Sequence, residues 1–267
     1  MSEQSLIRAL PAKFVMAVVV GGVIGLGILR GPGEIAEVIP DPYLYLSLWF
    51  FGGLFVLLSA SVAAELVGIT PRSGGNYSLV RRAYGPYPGF VIGWVDWLSF
   101  VPDTALKALV IIEFIAVLIP ETSAWTTELA ITVTTLFAAF QLRGVVLGAA
   151  IQQIITAAIG LIIIGLAMAL FFVDGPATSA EVAPTKTVLT NWSLVIATII
   201  FTYDGWLYAS YFSGEIKGGS GAVARGCIKS VVVVIALYML INAAMVSSVE
   251  LTALAGHDLA LAHALEL

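Results

Sequence analysis

The segment VGGVIGLGILRGPG, residues 20–33, lies inside the first long apolar run of the chain. Four of the seven residues from Gly21 to Gly27 are glycines, and Pro32 comes soon after, so a helix through this run is weakened there. In hydrocarbon, a broken helix leaves backbone N–H and C=O groups unpaired, which is tolerated only beside protein or a water-filled cavity. The segment therefore indicates either a place where backbone groups meet a polar ligand or, through Gly21 and Gly25, a close helix contact.

The composition is that of a membrane protein. Hydrophobic residues make up 60% of the sequence, the mean hydropathy is +1.01, and 11% of the residues are charged, against about 25% in soluble domains. Several apolar runs exceed the roughly 18 residues that are enough to cross a bilayer. We therefore predict an all-α polytopic membrane protein. The single cysteine, Cys227, excludes an internal disulfide.

Seven membrane spans are predicted in one transmembrane domain that covers residues 1–267. Their approximate limits are 14–38, 43–67, 87–119, 125–142, 145–173, 192–212 and 227–249. Proline turn signals come after each of the first three spans, and Asp174-Gly175-Pro176 ends the fifth.

Basic residues predict the orientation of these spans. Those outside the spans or at their ends concentrate on one side: Arg8, Lys13, Arg72, Arg81, Arg82, Arg143, Lys217, Arg225 and Lys229. The opposite loops hold Lys186 beside several acidic residues. By the positive-inside rule the N-terminus is cytoplasmic, and we expect a multi-pass protein of the plasma membrane. The net charge of −5 reflects external and buried carboxylates, so we expect no nucleic-acid partner.

A second interruption lies in the sixth span, TIIFTYDGWLYASYFS at residues 198–213. Asp204 and Gly205 form a turn signal in the middle of this apolar run. A carboxylate at that depth must face a cavity or cap a helix, so Asp204 is either a ligand-contacting residue or the N-cap of a half-helix that starts near Trp206. Five spans separate the two breaks, the spacing of two inverted five-helix repeats, and this pairing favours a ligand site over packing.

Several motifs, in order along the chain, carry a family resemblance. The segment 21–33 resembles the first span of amino acid permeases of the APC superfamily, and PRSGGNY at 71–77 resembles the loop after their second span. YDGW at 203–206, with GEIK after it at 214–217, is similar to the sixth span of the L-type (LAT-like) amino acid transporters. The segment LAGHDL at 254–259 resembles the connection after span seven in bacterial relatives.

The resemblance implies an amino acid substrate, held as a zwitterion by the two broken helices. In the family pattern, the backbones of Gly25, Leu26 and Gly27 bind the carboxylate, and the carbonyls of Val23, Phe201 and Asp204 meet the ammonium group. Phe201 matches the aromatic gate of the family, although a packing role is equally open. The expected substrate-binding set is Val23, Ile24, Gly25, Leu26, Gly27, Phe201, Tyr203, Asp204 and Gly205.

Two departures from the family pattern bear on the mechanism. Leu26 stands where the family often has serine, which removes a hydroxyl contact to the carboxylate. Ile159 stands where many members have a lysine in the fifth span, so a lysine-based proton mechanism is in doubt. No dedicated sodium site, metal site or cofactor is predicted. Exchange of one amino acid for another and proton symport both stay open.

Other charges fall within the predicted spans. Asp103 and Lys107 are four residues apart in span three, and we interpret them as a structural pair rather than a proton relay. Arg30 is expected to serve a gate or an extracellular vestibule.

Other classes of protein fit less well. An enzyme would need a nucleophile–base or metal set, yet the two histidines, His257 and His263, lie close to the end of the sequence. A channel would need a repeated pore loop or charged ring. A membrane receptor that binds amino acids without transport, or an inactive fragment, remains open. The sequence ends shortly after span seven, so we expect the partners to be the lipid bilayer and missing C-terminal helices of the same protein.

Overall fold

The computed structural model describes residues 8–69, 73–172, 192–257 and 260–266. These residues are helical, apart from turns and one isolated bridge that pairs Leu10 with Ile216. The protein is therefore an all-α polytopic membrane protein, as predicted. The predicted loop from Asp174 to Asn191 lies outside the described residues.

Eleven α-helices are formed by the described residues. They are α1 (Lys13–Val23), α2 (Leu26–Val38), α3 (Pro42–Ile69), α4 (Gly75–Tyr84), α5 (Pro86–Leu118), α6 (Thr126–Gln141), α7 (Val145–Phe171), α8 (Trp192–Thr202), α9 (Gly219–Ser248), α10 (Leu251–Leu254) and α11 (Ala260–Glu266). Two 3-10 helices accompany them, Pro120–Trp125 before α6 and Tyr208–Phe212 after α8.

Four helical segments in the described part of the chain are long and apolar enough to cross a bilayer. They are Lys13–Val38, Pro42–Ile69, Val145–Phe171 and Gly219–Ser248, with mean hydropathies of 2.1, 2.0, 2.7 and 2.2. The first of these combines α1 and α2 across the break. Helix α5 is longer still, with 33 residues, but it carries four charged residues, Asp96, Asp103, Lys107 and Glu113.

The structure adds features between the predicted spans. Helix α4 begins after a bend at Ser73 and Gly74, where Gly74 and Gly75 have φ values of 127° and 52° that favour glycine. Its polar composition hid it from a search for apolar runs. Helix α9 begins at Gly219, eight residues before the predicted start of span seven at Cys227, because the polar first two turns are helical as well.

Helix α9 lies at the centre of the packing and contacts α1, α3 and α7. Four buried aromatic rings connect it to its neighbours: the ring of Trp49 on α3 lies 6.0 Å from that of Tyr238 on α9 and 6.1 Å from that of Tyr203 after α8. Tyr45, one turn earlier in α3, packs against Trp49. This aromatic cluster, Tyr45, Trp49, Tyr203 and Tyr238, anchors the region of the second break to the core.

Candidate substrate site at two helix breaks

The first break lies between α1 and α2, at Ile24 and Gly25. Ile24 (φ −71°, ψ 101°) and Gly25 (φ −152°, ψ −146°) both leave the helical region. Gly25 precedes α2 and provides no side-chain cap for its first N–H groups, which have no carbonyl partner within the helix. The predicted interruption of the first span is thus confirmed.

The glycines around this break serve different purposes. A Cβ on Gly21 would clash with the side chains of Gln152 and Thr156 on α7, and a Cβ on Gly22 would lie 2.6 Å from the ring of Tyr208. A Cβ on Gly27 would lie 2.5 Å from the Cα of Thr202. These three glycines therefore permit close packing of chain segments.

Gly25 differs from them. The nearest atom to a Cβ at Gly25 would be Cε of Lys107, 3.9 Å away. A side chain at Gly25 would therefore enter open space, whereas a side chain at Gly27 would not. At Gly27 that space is already occupied by α8.

The second break comes after α8, which ends at Thr202. The chain turns through Gly205 at φ 112°, a value that favours glycine, and continues as the 3-10 helix Tyr208–Phe212. A Cβ on Gly205 would lie 2.8 Å from the carbonyl oxygen of Gly22. The second predicted interruption is confirmed, and the two breaks are in direct contact.

The hydroxyl of Tyr238 lies between the two breaks. It is within hydrogen-bonding distance of the carbonyl oxygen of Val23 at the end of α1 (2.9 Å) and that of Thr202 at the end of α8 (3.1 Å). Tyr238 is fully buried. Sequence reasoning missed this residue, because a tyrosine in a long apolar run looks like any core aromatic.

The predicted side chains of the second break point in different directions. Phe201 is 57% exposed, whereas Tyr203 is buried in the aromatic cluster and donates to the carbonyl of Trp49 at 3.0 Å. Asp204 is exposed. The N-cap interpretation of Asp204 is wrong, because Leu207 precedes the 3-10 helix and no side chain caps it. The gate role of Phe201 stays a prediction.

Two cavities adjoin the breaks, and both are lined by Gly21 and Gly22. The larger, about 540 Å³, lies among the first break, α5, α7 and α11, and Ile24, Gly25 and Leu26 of the predicted set line it. The smaller, about 460 Å³, lies among α1, α5, α7 and the 3-10 helix that follows α8, and Tyr208 and Tyr211 of that 3-10 helix line it. Val23, Gly27, Phe201, Tyr203, Asp204 and Gly205 are not among the described lining residues of either cavity.

Two ion pairs lie near the larger cavity. Lys107 contacts Asp103 at 2.7 Å along α5, which confirms that these two residues pair. Arg30 on α2 contacts Glu113 on α5 at 2.6 Å, and its role at a gate or an extracellular vestibule stays a prediction. The partner of Arg30 was not predicted, because 83 residues separate the two in sequence.

A polar cluster includes Tyr211, which lines the smaller cavity. Asp96 on α5 accepts hydrogen bonds from the Tyr211 hydroxyl at 2.7 Å and from Nδ2 of Asn76 on α4 at 3.2 Å. Nearby, the N–H of Gly214 donates to Oγ of Ser73 at 3.0 Å. These contacts tie the chain after the second break to the start of α4.

The comparison with protein families identifies the family of the chain. The family described as "Amino acid permease" matches residues 14–263, which is nearly the whole sequence. The chain belongs to the amino acid permease family. The resemblance to amino acid permeases of the APC superfamily is thus confirmed, and the matched family is one of permeases rather than enzymes.

Individual relatives are similar over most of this permease chain. The serine/threonine exchanger SteT of Bacillus subtilis is 24% identical over 245 residues, covering 91% of the chain and 56% of the relative. The mouse b(0,+)-type amino acid transporter 1 is 25% identical over 240 residues, covering 86% and 49%. The human cystine/glutamate transporter is 26% identical over 247 residues, covering 88% and 49%. The permease chain spans about half the length of these curated relatives.

Proposed function

We propose that the chain binds a zwitterionic amino acid where the two helix breaks meet, and that the transporter carries it across the membrane by alternating access. The observation that carries this proposal is the contact between Gly22 and Gly205. Because Gly22 also lines the larger cavity, this contact puts the second break against the wall of the space into which Gly25 opens.

The carboxylate of the amino acid binds at the start of α2. There the backbone N–H groups of Gly25, Leu26 and Gly27 are free of helix partners, and the helix dipole is positive. The absence of a side chain at Gly25 leaves room for the carboxylate. This arrangement needs no metal ion or cofactor.

The ammonium group binds carbonyl oxygens at the two helix ends. Phe201 and Asp204 supply two of them, although the carbonyl of Phe201 already accepts a hydrogen bond from the N–H of Asp204 at 3.1 Å. Val23 supplies a third, although Tyr238 already donates to one lone pair of its oxygen. A carbonyl oxygen has two lone pairs, so a second donor can still bind.

The positions of the two cavities support access from both sides of the membrane. The smaller cavity is lined by early residues of both α1 and α7, Phe14 and Val145 among them. The larger cavity is lined by later residues, among them Leu29 on α2, which follows α1 across the break, and Leu166 on α7. The cavities therefore lie at different depths, and Gly21 and Gly22 form a wall common to both.

The distribution of basic residues orients this arrangement. Arg81 and Arg82 lie in the last turn of α4, and Arg225 lies in the early part of α9. With these residues in the cytoplasm, the smaller cavity faces the cytoplasm and the larger one faces outward. We place the transporter in the plasma membrane with its N-terminus inside.

We favour exchange of amino acids over proton symport. Ile159 lines the larger cavity where many relatives of this fold are expected to carry a lysine, so α7 offers no titratable group at that point. Counterflow in proteoliposomes should persist when a protonophore collapses the pH gradient. Loss of both uptake and counterflow would favour symport instead.

Binding by purified protein from the complete reading frame tests the site. Gly25→Val should abolish measurable binding of the radiolabelled amino acid that the wild type binds best, because the side chain enters the carboxylate space. Gly160→Val is the matched control: it makes the same change on α7, where a Cβ would meet nothing within 4 Å. Normal binding by a folded Gly25→Val protein would contradict the proposal. Binding without flux in proteoliposomes would instead identify a receptor.

A further inference from the structure

The larger cavity has one charged residue among its described lining residues. This residue is Lys107, and the wall around it is almost entirely aliphatic, with Val110 and Ile111 from α5 and Ile159 and Ile163 from α7. An ammonium group beside such a wall needs an anionic partner, because an unpaired charge out of water is costly.

The side chain of Lys107 reaches the first break. Its Cε lies 3.9 Å from the point where a Cβ of Gly25 would stand, so the ammonium group is close to the start of α2. Asp103 accepts one hydrogen bond from Nζ at 2.7 Å. A lysine ammonium has three donors, and two therefore remain available toward the cavity.

The ion pair with Asp103 does not by itself account for this placement. Pairs four residues apart on one helix contribute little to stability, and the side chain of Lys107 keeps 40% of its surface exposed. Asp103 does, however, hold the lysine in one position, which lowers the entropy lost when a ligand binds.

We propose that Lys107 is a substrate-binding residue that donates a hydrogen bond to the carboxylate of the amino acid, beside the N–H groups that begin α2. Asp103 is a positioning residue that orients the ammonium group toward Gly25. The inference rests on the proposed function, since it assigns one more contact within the same site.

Two substitutions distinguish this role from a structural one. Lys107→Met removes the cation and keeps the length of the side chain, whereas Asp103→Asn removes the ion pair and keeps the cation. Both lose the same pair, so a purely structural role predicts equal effects. The substrate role predicts that Lys107→Met weakens amino acid binding by about 10- to 100-fold, the effect of a lost charge-assisted hydrogen bond, while Asp103→Asn, which loses only the orientation of the ammonium group, weakens it by about threefold.

The measurement is the dissociation constant of the radiolabelled L-amino acid that the wild type binds best in a panel. Thermal unfolding in detergent is measured in parallel. Lys107→Arg should keep most of the affinity. Should Lys107→Met yield no folded protein, Lys107→Gln has the same predicted loss. Binding by Lys107→Met within threefold of the wild type, or an equal loss in Asp103→Asn, would overturn the inference. A wild type that binds no amino acid would instead contradict the proposed function.

Discussion

The hydroxyl of Tyr238 lies 2.9 Å from the carbonyl oxygen of Val23, the last residue of α1. The same hydroxyl is 3.1 Å from the carbonyl oxygen of Thr202, the last residue of α8. One side chain from α9 therefore meets the C-terminal ends of both interrupted helices. This contact links the two breaks.

Replacing Tyr238 with phenylalanine should loosen the junction. The change removes the single O–H that two buried carbonyls share, and we expect a loss of about 1–3 kcal/mol in the free energy of unfolding, together with weaker amino acid binding. Tyr45→Phe is the control, because it removes a hydroxyl from the same aromatic cluster whose partner is the side chain of Asn242. Equal binding by Tyr238→Phe and the wild type would refute the linking role.

The Arg30–Glu113 ion pair should couple α2 to α5. Because the side chains are 28% and 46% exposed, we expect a coupling energy of about 0.5–1 kcal/mol. A double-mutant cycle with Arg30→Gln and Glu113→Gln measures it through unfolding in detergent. The charge-swapped protein Arg30→Glu/Glu113→Arg should recover stability lost by either single reversal. Strict additivity of the single effects would show that the pair contributes nothing.

Tyr211→Phe should open the smaller cavity. The substitution removes the hydrogen bond to Asp96, which helps tie the end of the second break to α4 and α5. A cysteine introduced at Ala149, a buried residue that lines this cavity, should then react several-fold faster with a thiol reagent in a Cys227→Ser background. Tyr77→Phe is the control, since its hydroxyl accepts from Arg81 within α4. An unchanged rate in Tyr211→Phe would rule out the closing role.

Impermeant thiol reagents should test the orientation. A cysteine at Tyr84, an exposed residue that ends α4, should react only from the cytoplasmic side in the same Cys227→Ser background. A cysteine at Glu121, in the 3-10 helix before α6, should react only from outside. The reverse pattern would invert the topology.

The two helix breaks could be predicted because their causes are local. A cluster of glycines and an Asp204-Gly205 turn signal interrupt apolar runs, and each acts on the backbone within a few residues. The pairing of Asp103 with Lys107 was predictable for the same reason, since four residues along a helix bring two side chains together.

The roles of individual residues at the site depended on contacts that local sequence does not encode. Gly21 and Gly27 pack against α7 and α8, whereas Gly25 opens into a cavity, and only the tertiary structure separates these cases. Tyr238 is 215 residues from Val23 in sequence. Helix α4 was missed because its stability depends on packing against α5 rather than on an apolar run of its own.

The most direct test is an experimental structure of the protein, expressed from its complete reading frame, with a bound amino acid. We predict ligand density in the larger cavity, with the carboxylate within about 3.2 Å of backbone nitrogens among Gly25, Leu26 and Gly27. The ammonium group should face the carbonyls of Val23, Phe201 and Asp204. Density for the amino acid away from both helix breaks, for example between α5 and α6, would contradict the central claim.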